Sequence, residues 1–231
     1  MASTRRSNRR SSRYQAAGQG VDRARRYPLA EAVDLVKAGA SAKFDETIEC
    51  AIRLNISGNQ TVRDTCVLPH SFQGDQRIVV FARDDKAEEA RSAGATEVGA
   101  EDLVEKVQGG WVDFDIAVAT PDMMREVGKL GPVLGRRGLM PNPKTRTVSN
   151  DLTATLAELR KGRVEFRADK SGVVQMAVGK ASMEASQIVE NVEFLIDEVG
   201  KRRPTDLKGD FMGSVAMSST MGPGVKVAQS D

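Results

Sequence analysis

Hydrophobic positions along the chain change their period several times, and each change predicts an element. From Pro28, a residue suited to a helix's first position, Leu29, Ala32, Val33 and Val36 recur on one face until a break around Gly39. From Phe44 the period becomes two, with Ile48, Cys50, Ile52 and Leu54 facing one way and Thr47, Glu49, Ala51 and Arg53 the other. That alternation predicts a half-buried strand. Residues 61–68 alternate less cleanly and are expected to pair with this strand through the turn residues Asn55-Ile56-Ser57-Gly58-Asn59.

The middle of the chain is patterned differently. Residues 77–82 form a near-continuous apolar stretch, the mark of a strand buried on both faces, and an Ala/Glu-rich helix opening at Asp84 and Asp85 follows to Ala93. A short strand near 97–98, a helix over 101–107, a buried strand over 115–119 and a helix from Thr120-Pro121 to Lys129 continue the alternation. Strand and helix in strict turn predict a parallel sheet with crossover helices. Residues 131–145 read as a Gly/Pro-rich loop, after which Asn150 or Asp151 can cap a helix carrying Leu152, Leu156 and Leu159.

Toward the end the first style returns. Residues 163–167 and 173–178 are expected to form a hairpin about Asp169-Lys170-Ser171-Gly172. A helix with Ala185, Ile188, Val189, Val192, Leu195 and Val199 on one stripe precedes two strands within 209–220 and 224–227. The expected fold is an α+β domain, a split antiparallel sheet with helices, built from residues 27–68 and 160–231. An α/β Rossmann-like domain is inserted at 69–159.

Composition narrows the function classes. With 231 residues, 40% hydrophobic and 29% charged, the chain is long enough for a sizeable core and is neither collagen-like nor globally disordered. The longest apolar run, 78–82, is far short of the about 20 residues of a bilayer span or the roughly 7–15 of a secretory signal, so neither is expected. Cys50 and Cys66 supply no disulfide framework and no zinc site, which fits a reducing cytoplasm.

The net charge of +2 conceals an uneven distribution. Residues 1–26 hold eight arginines, no lysine and one acid, a charge of +7, and the rest of the chain sums to −5. This Ser/Arg-rich tail cannot bury enough apolar area to order itself and is expected to be a disordered basic arm attracted to polyanions. It lacks the apolar face that membrane binding also needs.

Catalytic equipment is sparse. The sole histidine, His70, stands beside the expected domain boundary without a nucleophile elbow or a second ligand, and reads as a hinge hydrogen-bonder. Cys50 points inward on its strand. Gly131, Gly135 and Gly138 do not match a dinucleotide fingerprint, and Gly179-Lys180 is no phosphate loop. No catalytic residue, metal site, cofactor or small-molecule substrate is assigned. An α/β nucleotide-binding enzyme working through the insert rests on topology alone. A basic cluster, Arg160, Lys161, Arg163, Arg167, Lys170 and Lys180, is expected to form one electropositive face on the strand pair, suited to phosphates. With one Trp and two Tyr, recognition by RNA shape fits better than extensive base stacking.

The residues also resemble a known family. Ala42-Lys-Phe-Asp-Glu-Thr47, Val67-Leu-Pro-His70, Gly138-Leu-Met-Pro-Asn-Pro-Lys144 within the 131–145 loop, Phe166-Arg-Ala-Asp-Lys-Ser-Gly172, Val178-Gly-Lys180 and Ser219-Thr-Met-Gly-Pro223 run in the order of the large-subunit ribosomal protein family L-one, bacterial type. The resemblance covers residues 22 to 227. It implies a two-domain, non-catalytic protein of the mobile side stalk, cytoplasmic and ribosome-bound. Its terminal domain would bind large-subunit rRNA, its stalk motion would assist release of deacylated exit-site tRNA, and it would repress its own operon mRNA. Matched position by position, it implies RNA contacts at Lys43, Phe44, Thr47, Arg167, Asp169, Lys170, Ser214, Thr220, Met221 and Gly222. The chain departs from the family pattern at Arg136, where proline is usual, at Ala168, where asparagine is usual, and in a shortened 55–61 segment without the family's basic pair.

Overall fold

A computed structural model describes residues 11–228 apart from 57–59, 61, 73, 75 and 206. Arg5, Arg6, Arg9 and Arg10 of the basic arm, and most of the 55–61 turn, lie outside the described residues.

The chain opens with helices α1 (Ser12–Gly18) and α2 (Leu29–Gly39), followed by strands β1 (Thr47–Leu54) and β2 (Arg63–Val67). Next come β3 (Ile78–Phe81), α3 (Asp84–Ser92), β4 (Glu97–Gly99), α4 (Glu101–Gln108) and β5 (Ile116–Ala119). Short helices α5 (Met124–Val127) and α6 (Gly131–Arg137) lead to α7 (Leu152–Arg160). The chain finishes with β6 (Arg163–Arg167), β7 (Val173–Lys180), α8 (Ala185–Lys201), β8 (Met212–Ser219) and β9 (Val225–Val227). Residue contacts divide it into two compact units: one of residues 1–63, 68–72 and 166–231, the other of 64–67 and 73–165. These bounds lie a few residues from those expected at 68/69 and 159/160.

In the first unit β1 is central. The antiparallel sheet runs β7-β1-β8-β9, with Cys50 opposite Met176 on one side and Met217 on the other. The period of two places Ile48, Cys50, Ile52 and Leu54 on the inner face at 0–3% exposure, beside Val174, Met176, Val178, Val215 and Met217. Helices α2 and α8 pack together against that face through Ala32, Val33, Val36, Ile188, Val192, Leu195 and Val199. Each fully buried Ile or Leu contributes about 1.5–3 kcal/mol, so this layer dominates the unit's stability.

The second unit has a parallel sheet, β4-β3-β5, with Val79 beside Ala117 and Val80 beside Val98. Val79, Phe81 and Ala119 pack with Leu103, Val107 and Leu134 on one face. Ile78, Val80 and Val118 pack with Ala90, Leu152 and Leu156 on the other. Burial on both faces explains the unbroken apolar run of β3.

Several expectations are corrected. β2 does not pair with β1; it pairs with β6 in a separate two-stranded sheet, because β7 and β8 already occupy both edges of β1. The expected 163–167/173–178 hairpin is reduced to one bridge, Ala168 to Val174, since β7 is taken by β1 and β6 by β2. Within 131–145, residues 131–137 are helix α6 rather than loop. Pro132 lies in its first turn, Leu134 is fully buried, and Gly138 ends it in the left-handed region at φ 72°. The helix expected from Thr120-Pro121 to Lys129 breaks into 3-10 turns at Pro121–Met123 and Gly128–Leu130 flanking α5. Residues 12–18, expected to be disordered arm, form α1. Ser11 caps it by accepting from Tyr14 N at 3.3 Å, and Ala17 is set against α2.

Candidate nucleic-acid interface

The segment entering β1 and the segment leaving β8 meet at one end of the first unit's sheet. Thr220 N donates to Thr47 O at 3.0 Å, and Thr47 N donates to Thr220 Oγ1 at 3.0 Å. Thr220's hydroxyl also donates to Thr47 O at 3.2 Å, so it is committed to the backbone of its neighbour. Lys180 Nζ donates to Thr47 Oγ1 at 2.7 Å, which brings β7 to the same corner. Asp45 ties down the next turn, accepting from Ser182 N at 3.0 Å and Ser182 Oγ at 2.8 Å.

Glu46 braces this corner from inside. Only 1% exposed, it accepts from Ala42 N at 2.8 Å and from Met221 N at 2.9 Å. Burial pushes its carboxyl up, but the amides of Met221 and Ala42, with smaller help from Ser219 and the charge of Arg13, outweigh that and hold it below the ordinary 4.5. Two carboxylate oxygens thereby fix two loops relative to each other. What the loops present outward is Phe44 at 55% exposure and Met221 at 47%, beside exposed Lys43. A Cβ at Gly222 would lie 2.4 Å from Ser219 Oγ, so a side chain there requires that hydroxyl to turn away.

The structure therefore gathers Lys43, Phe44, Thr47, Thr220, Met221 and Gly222. It does not bring Arg167, Asp169, Lys170 and Ser214 to the same place. Ser214 lies opposite Arg53, near the other end of β1, where Leu54 N donates to Gly172 O at 2.7 Å. Asp169's carboxylate accepts from Ser171 N at 2.8 Å and Val173 N at 2.9 Å, shaping its own turn, while Arg167 and Lys170 are exposed. The length of β1 separates the two groups, roughly 23 Å at about 3.3 Å per residue. Between them runs the sheet's outward face, with Glu49, Ala51, Arg53, Gln175, Ala177, Ala216 and Ser218. Ala51, Ala177, Ala216 and Ser218 are small and half-buried on it, while Glu49, Arg53 and Gln175 stand exposed. Sequence reasoning missed Glu46, whose signal lay in the family motif Ala42–Thr47, and the outward face, whose signal lay in the period of two.

The strand pair expected to carry the basic face does not form, and Arg163 is withdrawn from it. Arg163 is buried, donating to Glu158 at 2.8 Å and to the carbonyls of Thr145 at 2.9 Å and Arg146 at 3.2 Å, and Arg160 donates to Gly94 O. Both belong to the second unit, whereas Arg167, Lys170 and Lys180 belong to the first.

The remaining chemical candidates find structural work. His70 N donates to Asn191 Oδ1 at 2.9 Å, Asn191 Nδ2 donates back to His70 O at 2.9 Å, and His70 Nε2 lies 2.6 Å from Glu190. Burial pushes the Cys50 thiol up to about 12, leaving it protonated and inert. Among the described residues no three His, Cys, Asp or Glu side chains converge as a metal-ion site, and no helix is long and apolar enough to cross a membrane.

Comparison with known proteins settles the kinship. The model of the ribosomal protein L1p/L10e family matches residues 36–223. The chain belongs to this family. It is 58% identical over 214 residues to the large ribosomal subunit protein uL1 of Treponema denticola, covering 93% of this chain and 95% of that one. It is 56% identical over 215 residues to the protein of the same name from Borrelia hermsii, covering 93% and 96%. The Treponema pallidum protein, of the same name again, is 54% identical over 219 residues, covering 95% and 97%. Membership of a family of structural, non-enzymatic ribosomal proteins overturns the alternative of a nucleotide-binding enzyme.

Proposed function

We propose that the chain is a cytoplasmic, ribosome-bound constituent of the large subunit, and that its first unit binds large-subunit rRNA at the side stalk. In this reading an α+β RNA-binding domain carries an inserted Rossmann-like α/β domain. Stalk movement assists release of deacylated tRNA from the exit site, and the same surface binds the protein's own operon mRNA to repress it. The observation that carries the reading is the corner at Thr47 and Thr220, where buried Glu46 holds Phe44 and Met221 outward at the end of the sheet's outward face. Apolar side chains held in water on a preorganised frame suit contact with unstacked bases and sugars, while backbone and hydroxyls approach 2′-OH groups. Arg167, Asp169, Lys170 and Ser214 extend the footprint along the sheet.

The test is filter binding of the side-stalk rRNA fragment to the Phe44→Ala chain. Loss of one stacked base costs about 1–3 kcal/mol. Because Phe44 is exposed, the melting temperature should hold while affinity falls. Unchanged affinity would remove this corner from the interface.

A further inference from the structure

The second unit concentrates its positive charge in one stretch. Residues 127–150 carry Lys129, Arg136, Arg137, Lys144 and Arg146 and no acid, a charge of +5. The remainder of residues 73–165 holds nine basic and sixteen acidic residues, a charge of −7. Lys129 pairs with Glu126. Arg136, Arg137, Lys144 and Arg146 are all exposed, and among the described residues none of them pairs with a carboxylate.

The backbone that carries these four is fixed. Gly138 turns the chain at the end of α6 at φ 72°, Leu139 N donates back to Leu134 O at 3.0 Å, and Leu139 and Met140 pack on the core that buries Leu134. Asn142 folds the next turn on itself. Its side chain accepts from Lys144 N at 2.9 Å, its carbonyl accepts from Thr145 Oγ1 at 3.0 Å, and its N–H donates to Thr147 Oγ1 at 2.8 Å. Buried Arg163 holds the carbonyls of Thr145 and Arg146 from inside, and Ala119 N donates to Thr147 O at 3.0 Å, stitching the far end to β5. Arg146 itself sits at φ 53°, in the left-handed region that side chains avoid and glycine adopts freely. Mutual repulsion along the stretch also works against the fold, and a bound polyanion relieves it.

The large apolar side chains that stand exposed, Phe44 and Met221, both belong to the first unit. The 136–146 loop therefore offers no stacking platform for unpaired bases and no apolar face for a lipid surface. Its three arginines present planar, always charged forks that take phosphate oxygens bidentately, and paired RNA is recognised through its phosphates and 2′-hydroxyls.

We infer that the 136–146 loop is a second RNA site, which takes the phosphate backbone of a duplex other than the RNA bound by the first unit. It goes beyond the reading of the Thr47–Thr220 corner and does not depend on it.

The experiment titrates the full chain with a labelled RNA duplex of plain sequence, alone and after saturation with unlabelled side-stalk rRNA fragment, over a series of potassium chloride concentrations. The saturated chain should still take up the duplex. Each phosphate contact contributes about 0.7–0.9 to the slope of log affinity against log salt, so glutamine at 136, 137, 144 and 146 together should lower the slope by about 3. Arg146→Gly should lower it by about one contact at an equal or higher melting temperature, and Phe44→Ala should leave duplex uptake unchanged. If the saturated chain takes up no duplex, or the fourfold variant keeps the full slope, the second site is refuted. A lower melting temperature for that variant at unchanged slope would make the four cations structural and would equally refute it. Displacement of the duplex by poly-glutamate as readily as by unlabelled duplex would overturn the assignment in favour of an acidic protein surface. If the chain fails to bind the side-stalk fragment, the rRNA reading fails, while duplex uptake that is lost in the fourfold variant still supports the loop.

Discussion

Glu46 shows how one side chain can set the geometry of an interface it need not touch. Its two oxygens accept from amides on both sides of the corner, Ala42 and Met221, and glutamine cannot reproduce this because its NH2 group would face an N–H donor. Leaving one buried amide unpaired costs about 1–3 kcal/mol, so Glu46→Gln should lose that much stability in a urea titration at neutral pH. The pH dependence follows from the sign of its shift. The folded carboxyl ionises below the ordinary 4.5, so its stabilising contribution is complete above that value and fades as pH falls through the lower, folded pKa. The gap between the two proteins should therefore narrow on acidification below 4.5. A gap of constant size from pH 7 down to acid unfolding would mean that the charge is not what braces the corner.

Among the elements, those with strong internal periodicity were legible in the chain itself. The alternation at Ile48, Cys50, Ile52 and Leu54 identifies both β1 and its buried face, and the 185–199 stripe identifies α8, because burial on one side leaves the period in the sequence. Partner choice was not legible. Nothing in residues 61–68 says that both edges of β1 are claimed by strands more than a hundred positions later, and neighbours in sequence were paired by default. Helix α6 escaped for a local reason: glycine and proline carry loop statistics, yet Pro132 stands where a helix tolerates it and Leu134 supplies the burial that fixes it. The turn at 169–172 was expected as a hairpin connection and instead closes against β1. Gly172 has φ +75°, and a Cβ there would lie 2.8 Å from Leu54 O, a backbone atom with little room to move. The left-handed conformation alone costs a side chain about 1–2 kcal/mol, and the close approach adds to it. Gly172→Ala should therefore lower stability by about 2 kcal/mol or more and weaken rRNA binding through Lys170. Full stability in a urea titration would show that the turn is not held against Leu54.

At the scale of the whole molecule, all ten proposed contact positions lie outside residues 64–165, and of that stretch the first unit takes in 68–72, where Leu68 is buried. The deletion that tests this separation has a natural place. Ala168 N donates to Val62 O at 2.8 Å, so the chain on either side of residues 64–165 is already within reach of a short turn. We expect that joining Arg63 to Phe166 through a few glycines yields a folded domain built on β7-β1-β8-β9, α2 and α8. The same cut removes His70 and with it two of the hydrogen bonds to Asn191, a fully buried amide that keeps Val178 O as a partner. An unmet buried amide oxygen costs about 1–3 kcal/mol, so the shortened chain should melt earlier than its parent while unfolding cooperatively. Restoring residues 68–72 as part of the linker should return part of that loss. Affinity for the side-stalk rRNA fragment should stay within a few fold of the full chain, since Phe44, Met221 and the outward sheet face are intact. A cooperative melt combined with loss of specific binding would move the determinants into the second unit, and would refute the assignment of the interface to the Thr47–Thr220 corner.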